Sequence, residues 1–173
     1  ALDKLTRRLF EADSWSFLAN DSNTNEKASC YGKEAPLGLG IGLGNGEAFY
    51  IDLEHFDGGT DAAQGTLKDI LTNGFLEKSA YDEKRNLGPL LALGIRPESV
   101  KDDILIAAYL LESTRSTYPI PFLAQIYADT DAAFAVPEGF DEAAFRTAEN
   151  ADFIARLTPI MRRLTTALGI PHP

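Results

Sequence analysis

The sequence predicts an α/β fold. Strand-like segments crowd the first third of the chain, helical periodicity takes over after "DGGT" (57–60), and one further strand-like stretch, "FLEKSA" (75–80), lies between two helical ones. At 173 residues the chain suits a single domain, long enough to bury about two thirds of its unfolded surface.

Each element has a local reason. Residues 1–12 read as a short lead-in helix and "SWSFLA" (14–19) as an apolar strand, followed by the polar loop "NDSNTNEKAS" (20–29). "LGLGIGL" (37–43) and "EAFYIDL" (47–53) are two further strands joined through "GNG", whose residues tolerate positive φ and so predict a β-hairpin. "AAQGTLKDILTNG" (62–74) brings Leu67, Ile70 and Leu71 onto one helical face and stops at Gly74. "KRNLGPLLALGI" (84–95) follows "FLEKSA" as a short helix ended by Gly94, with Asn86 placed either to cap it or to stand where an acid once stood. Asp103 is expected to cap the apolar helix "ILIAAYLLE" (104–112). Pro119 and Pro121 introduce "FLAQIYA" (122–128), and the last helix is expected over about 142–168 with a kink at Pro159. No repeat, linker or low-complexity segment interrupts this order.

Composition narrows the function classes. A hydrophobic fraction of 45% with 24% charged residues is that of an ordinary folded domain, and no apolar run approaches the roughly 20 residues of a membrane span. The one cysteine, Cys30, excludes an internal disulfide and a cysteine-cluster metal site; with no signal peptide in view, the expected location is the cytoplasm. A net charge of -10 opposes a protein whose main task is gripping phosphates, because that affinity comes from Lys and Arg displacing counterions. The basic pairs Arg7–Arg8, Lys84–Arg85 and Arg162–Arg163 are isolated by acidic sequence and read as solvated helix faces.

Several motifs imitate function. The G-x-G spacings of "GLGIGLGNG" (38–46) precede a strand, whereas a dinucleotide loop must lead into a helix whose N-terminus faces phosphate. Glycines alternating on one strand face instead leave room for a helix packed against the sheet. His55 and His172 lie too far apart in sequence to suggest a metal pair or triad, and Cys30 stands in no nucleophile motif.

Taken together, the strand, hairpin, helix and strand followed by "KRNLGPLLALGI", "KDDILIAAYLLE" and "TAENADFIARL" resemble the 3′-5′ exonuclease domain of family A DNA polymerases, the DNA polymerase I type. The resemblance runs from about Trp15 to Leu168 and implies a ribonuclease H-like fold, a mixed central sheet flanked by helices. Its best-matched part is the middle. In the family a K-Y-D-x-G phrase leads through a short apolar helix to G-I, then to an Asp opening a helix that ends in Y-[IL]-L. Lys84, Gly88, Gly94, Ile95, Asp103, Tyr109, Leu110 and Leu111 keep that spacing.

Active members of the family carry four carboxylates: two in D-x-E on the first strand, one in K-Y-D and one in Y-x-x-x-D on the last helix. Two Mg²⁺ ions about 4 Å apart repel each other and need anionic oxygen ligands to hold them. The resemblance places Leu18 and Asn20 at the first two positions, Asn86 at the third, Asn150 at the fourth and Arg146 where the last motif's tyrosine would help place water. None of the four is acidic. Leucine offers no ligand, and a neutral amide carbonyl cannot offset the repulsion between the ions.

Neighbouring acids fit these positions poorly. Asp21 is one residue further along a strand, hence on its other face. Asp152 is about 200° around the helix from Asn150, and Glu149 about 100°. Asp82 and Asp103 each have a sufficient role as helix caps.

The expectation is therefore a vestigial, catalytically inactive 3′-5′ exonuclease domain of a DNA polymerase I-like enzyme. It would span 1–173 as one domain of a larger chain, with no cofactor (Mg²⁺ belonging to active relatives), weak or no direct DNA binding, no membrane contact, and the polymerase module of the same chain as its partner. Two other readings remain open at this point: an active exonuclease with displaced acids, and a freestanding acidic protein-interaction module.

Overall fold

Glycine occupies every second position of the segment Gly38–Gly42, and the fold is organised around that bare face. The computed structural model describes residues 2–20, 36–56, 58–131 and 134–170; Asp21, Cys30 and His172 lie outside them. The described elements are α1 (Leu2–Glu11), β1 (Ser14–Asn20), β2 (Gly38–Gly42), β3 (Ala48–Asp52), α2 (Thr60–Leu71), β4 (Glu77–Ala80), α3 (Glu83–Ala92), β5 (Val100–Asp103), α4 (Ile104–Leu111), α5 (Ile120–Ala128) and α6 (Glu142–Ala167). The strands form one mixed sheet in the order β3-β2-β1-β4-β5. The β2–β3 hairpin is antiparallel, β1 runs antiparallel to β2 with Leu18 opposite Gly40, and β4 and β5 continue the sheet in parallel.

Alternation along the strands gives the sheet two apolar faces. Trp15, Phe17, Leu39 and Ile41 point into a core shared with Leu5 and Leu9 of α1, Leu67 and Leu71 of α2 and Leu90 of α3. On the opposite face, Leu18 joins a second core made with Ile104 and Ala108 of α4, Leu123 of α5, and Phe153, Ile154 and Leu157 of α6. This is a ribonuclease H-like α/β arrangement with helices on both sides of a mixed sheet.

The expectation that alternate glycines admit a helix holds, and the helix is α6. A Cβ built on Gly40 would lie 2.6 Å from the Thr147 carbonyl oxygen, and one on Gly42 would overlap the backbone of Ala151 and Asp152. Helix and strand therefore touch backbone to backbone. Ser16 Oγ on the neighbouring strand donates to the Ala151 carbonyl and fixes the helix along its axis. The helix continues unbroken through Pro159.

One sequence expectation needs correction, and one element was not anticipated. The N-cap of α3 is Asp82, whose carboxylate accepts from Arg85 N–H, so Asn86 lies inside the helix and is not its cap. The short strand β5, with sequence VKDD, has no apolar alternation to announce it, and its place at the sheet edge explains why it needs none. Asp103 does cap α4, accepting from Leu105 and Ile106 N–H.

One buried charge helps hold β4 in place. Lys78 is 1% exposed, and its Nζ donates to the carbonyls of Asn73, Leu76 and Glu98 at 2.7–3.0 Å while lying 5.3 Å from the Trp15 ring centre. Burial lowers its pKa from 10.5 to about 8, with Glu98 opposing the shift.

Candidate active site

Strand β4 pairs with β1 only as far as Ser79 opposite Ser16, because the chain turns at Asp82 (φ 53°) into α3. Beyond that point the Ala19 N–H has no strand to bond to. Asn86 supplies the acceptor: its Oδ1 takes the Ala19 N–H at 2.7 Å, while its Nδ2 donates to the Tyr81 and Asp82 carbonyls at 2.8 and 3.0 Å. All three partners have fixed polarity, so the amide orientation is determined. Asn86 is 4% exposed, and the bonds tie the first turn of α3 to the end of β1.

This junction borders a cavity of about 210 Å³ lined by Leu18, Ala19, Tyr81, Arg85, Asn86 and Ile120. Two of the five residues singled out from sequence, Leu18 and Asn86, thus meet at one cavity. Tyr81 closes its wall by donating from its hydroxyl to the Tyr118 carbonyl at 2.6 Å. Burial, helped by the Asp82 and Asp103 carboxylates, pushes the Tyr81 phenol up to about 12.

The other three, Asn20, Asn150 and Arg146, are not among the residues lining this cavity. Asn20 Nδ2 donates to the Tyr50 hydroxyl at 2.8 Å, a contact that the missing side chain of Gly38 leaves room for. Asn150 sits on α6 between Thr147 and Ala151, and its Oδ1 is buried with no hydrogen-bond partner among the described residues. Arg146 donates to the Phe134 carbonyl and to Glu149, whose second oxygen accepts from Phe134 N–H, so the pair clamps the segment leading into α6.

The nearby acids are equally committed. Asp152, 5% exposed, accepts from Gly44 and Gly46 N–H in the β2–β3 turn and pairs with Arg156 at 2.9 Å. Asp103 accepts from Asp82 and Glu83 N–H as well as from the first turn of its own helix, joining the starts of α3 and α4. The carboxyl of Glu83 is held above its ordinary range by burial and by Asp103. Among the described residues, no three His, Cys, Asp or Glu side chains gather as a metal-binding group.

A larger cleft, about 650 Å³, lies between the end of α1, the β2–β3 turn and the middle of α6. Its arginines are all paired: Arg8 with Glu47 at 2.7 Å, Arg156 with Asp152, and Arg162 with Asp102. No helix among the described residues is long and apolar enough to cross a membrane.

Sequence reasoning did not find Tyr81, Ile120 or Tyr50. Each contributes through tertiary contact alone, with no motif to mark it. The one available signal was the glycine face of β2, which implied that something approaches the sheet closely there.

The family model for the DNA polymerase I ribonuclease H-like domain matches residues 28–134. No curated protein sequence matches at a significant level. Among solved structures, Pol1 from M. smegmatis, solved with DNA primer-template and dNTP, superposes with a TM-score of 0.75 at 17% identity, covering 97% of this chain and 26% of that one. NrnC of Brucella melitensis, bound to pGG, gives 0.72 at 16% identity over 94% of this chain and 78% of that one. RNase D of Trypanosoma brucei gives 0.67 at 12% identity over 92% and 61%. At these identities the structural likeness establishes the fold; the chain spans about a quarter of the length of the M. smegmatis polymerase. With most of its length matched by the family model, the chain belongs to the DNA polymerase I ribonuclease H-like domain family and is a 3′-5′ exonuclease-like domain of the polymerase I type.

Proposed function

We propose that this domain is catalytically inactive and serves as a structural platform for a polymerase module in a longer chain. The observation that carries the reading is the bonding of Asn86. Its side chain must accept one hydrogen bond and donate two, and a carboxylate can only accept. The third ligand position of an active relative is thus given over to joining α3 to β1.

The other donors support the same reading. Leu18 packs in an apolar core, Asn20 is engaged by Tyr50, and the Asn150 carbonyl is neutral. Asp103, Glu149 and Asp152 are drawn off by backbone N–H groups and arginines. This donor set does not fit a pair of divalent cations, which need several anionic oxygens to offset their mutual repulsion. The paired arginines of the large cleft and the net charge of -10 also give little hold on a nucleic-acid backbone, which supports weak DNA binding by this domain.

The test is incubation of the purified domain with end-labelled single-stranded DNA in Mg²⁺ and, separately, in Mn²⁺. The expected result is no shortening beyond a protein-free blank. Metal-dependent removal of 3′ nucleotides that disappears on substituting one acid near the cavity would overturn the proposal.

A further inference from the structure

Strand β3 is an edge of the sheet, and no described strand pairs with its outer side. Its register on β2 is fixed by bonds from Leu43 N–H to the Glu47 carbonyl and from Leu53 N–H to the Leu37 carbonyl. Bonded and non-bonded pairs alternate along an antiparallel ladder, so the backbone N–H and carbonyl groups of Ala48, Tyr50 and Asp52 point away from β2. The side chains of Ala48 and Tyr50 lie opposite Gly42 and Gly40, on the face that α6 covers. A cavity of about 480 Å³ opens there, walled by Ala48 and Tyr50, by Phe145 and Phe153 of α6, and by Phe134 and Phe140 from the segment before it. Phe134 and Phe140 are 60% and 66% exposed, yet both are held. Arg146 and Glu149 bond the Phe134 backbone, and the Phe140 ring stands edge-on to Phe145 with 6.5 Å between centres. The two carboxylates that reach the cavity, Glu149 and Asp152, are occupied by Arg146 and Arg156 and by backbone N–H groups. The rest of the lining is aromatic rings, alanine and glycine. Charge gathers near the Tyr50 hydroxyl. Burial raises the pKa of this phenol against the opposing bond from Asn20, and Asp52, Asp141 and Glu54 raise it further, so these three carboxylates lie within electrostatic reach. Among the described residues, no lysine or arginine pairs with any of the three.

We propose that β3 and this cavity receive an extended segment of another protein, added to the sheet as a further strand, with apolar side chains at alternate positions and a lysine or arginine beyond them. The outward donors and acceptors of the edge call for a backbone in extended form. A strand laid about 4.8 Å from β3 sends every second side chain to the cavity's side of the sheet, where phenyl rings receive apolar groups. The carboxylates around Tyr50 call for a basic residue. They also oppose the two other occupants of such a groove. A nucleic-acid strand carries phosphates, and a second copy of this chain carries a net charge of -10 and the same three acids. This binding is independent of nuclease activity.

The experiment titrates the 173-residue chain into fluorescein-labelled peptides of the form Thr-Φ-Thr-Φ-Thr-Lys-Lys, with Phe, Leu, Ile or Val at each Φ, and reads fluorescence anisotropy. Peptides of this set are expected to bind with a Kd of about 100 µM or tighter, and glutamates in place of the two lysines should weaken them about tenfold. N-methylation of the Φ amides, or separately of the threonine amides, reads the ladder: the set facing β3 loses binding when methylated, and the set facing solvent tolerates it. Ala48→Pro removes an N–H that points away from β2, so it should leave the melting temperature nearly unchanged and weaken binding at least about tenfold. Phe134→Ala with Phe140→Ala, at two exposed rings, should weaken it at least as much, and this variant carries the test if the proline variant fails to fold. The proposal is overturned if no peptide of the set binds at millimolar concentration, if methylation of either set has the same effect, or if the folded variants bind as the parent does. Equal binding of the glutamate peptides, or a single-stranded DNA oligonucleotide that displaces the peptides, would overturn it as well.

Discussion

At position 86 a carboxylate would face the Tyr81 and Asp82 carbonyl oxygens, to which the present amide donates. Asn86→Asp should therefore destabilise the domain by about 2–3 kcal/mol at pH 7, the cost of two lost bonds and a partly repelled buried charge. The new carboxyl would have a folded-state pKa raised above the unfolded value, so its cost is complete above the folded pKa and fades as pH falls toward about 4. Urea unfolding of both proteins at pH 7 and pH 5 checks this, and an equal penalty at the two pH values would contradict it. Lys78 offers the complementary case. Its folded pKa of about 8 lies below its ordinary 10.5, so the cost of burying the charge is complete below pH 8 and is relieved as pH rises toward 10.5. The stability of the parent should climb relative to Lys78→Met across that window; a constant difference from pH 7 to 10 would show that the lysine does not titrate as stated.

At the scale of elements, the junction between β2 and α6 decides most. Gly42→Ala places a methyl group against the Ala151–Asp152 backbone, which cannot swing aside as a side-chain tip can, and should cost at least about 2 kcal/mol. Gly65→Ala in the exposed middle of α2 meets nothing within 4 Å and should stabilise by about 0.5–1 kcal/mol. Thermal melts of the two variants beside the parent test both signs. The alternating glycines, the hairpin turn and the Asp103 cap were legible in sequence because each is a local requirement of φ, space or an unpaired N–H. Strand β5 was not, since an edge strand of four mostly charged residues is held by pairing to β4 and leaves no periodic trace. The place of Asn86 within α3 was missed for a related reason: Asp82 and Asn86 are both good caps, and only the turn at Asp82 decides between them.

At the scale of the whole molecule, the family framework was legible in the sequence, while the contacts made at the proposed ligand positions and by the neighbouring acids are tertiary and became visible only in the fold. Asn86 bridges to β1, Asn20 reaches Tyr50, and Asp152 holds a turn 106 residues away in the chain. The central proposal is that Leu18, Asn20, Asn86 and Asn150 occupy the ligand positions of active relatives, with Asn86 now joining α3 to β1. It is tested most directly by a thermal melt, with and without Mn²⁺, of the parent and of the variant carrying Leu18→Asp, Asn20→Glu, Asn86→Asp and Asn150→Asp. Four carboxylates restored together should lower the melting temperature without metal, through mutual repulsion and burial, and Mn²⁺ should recover part of that loss by binding the folded state. The parent should not respond to Mn²⁺. A parent stabilised by Mn²⁺, or a folded variant that gains no more from Mn²⁺ than the parent does, would contradict the account.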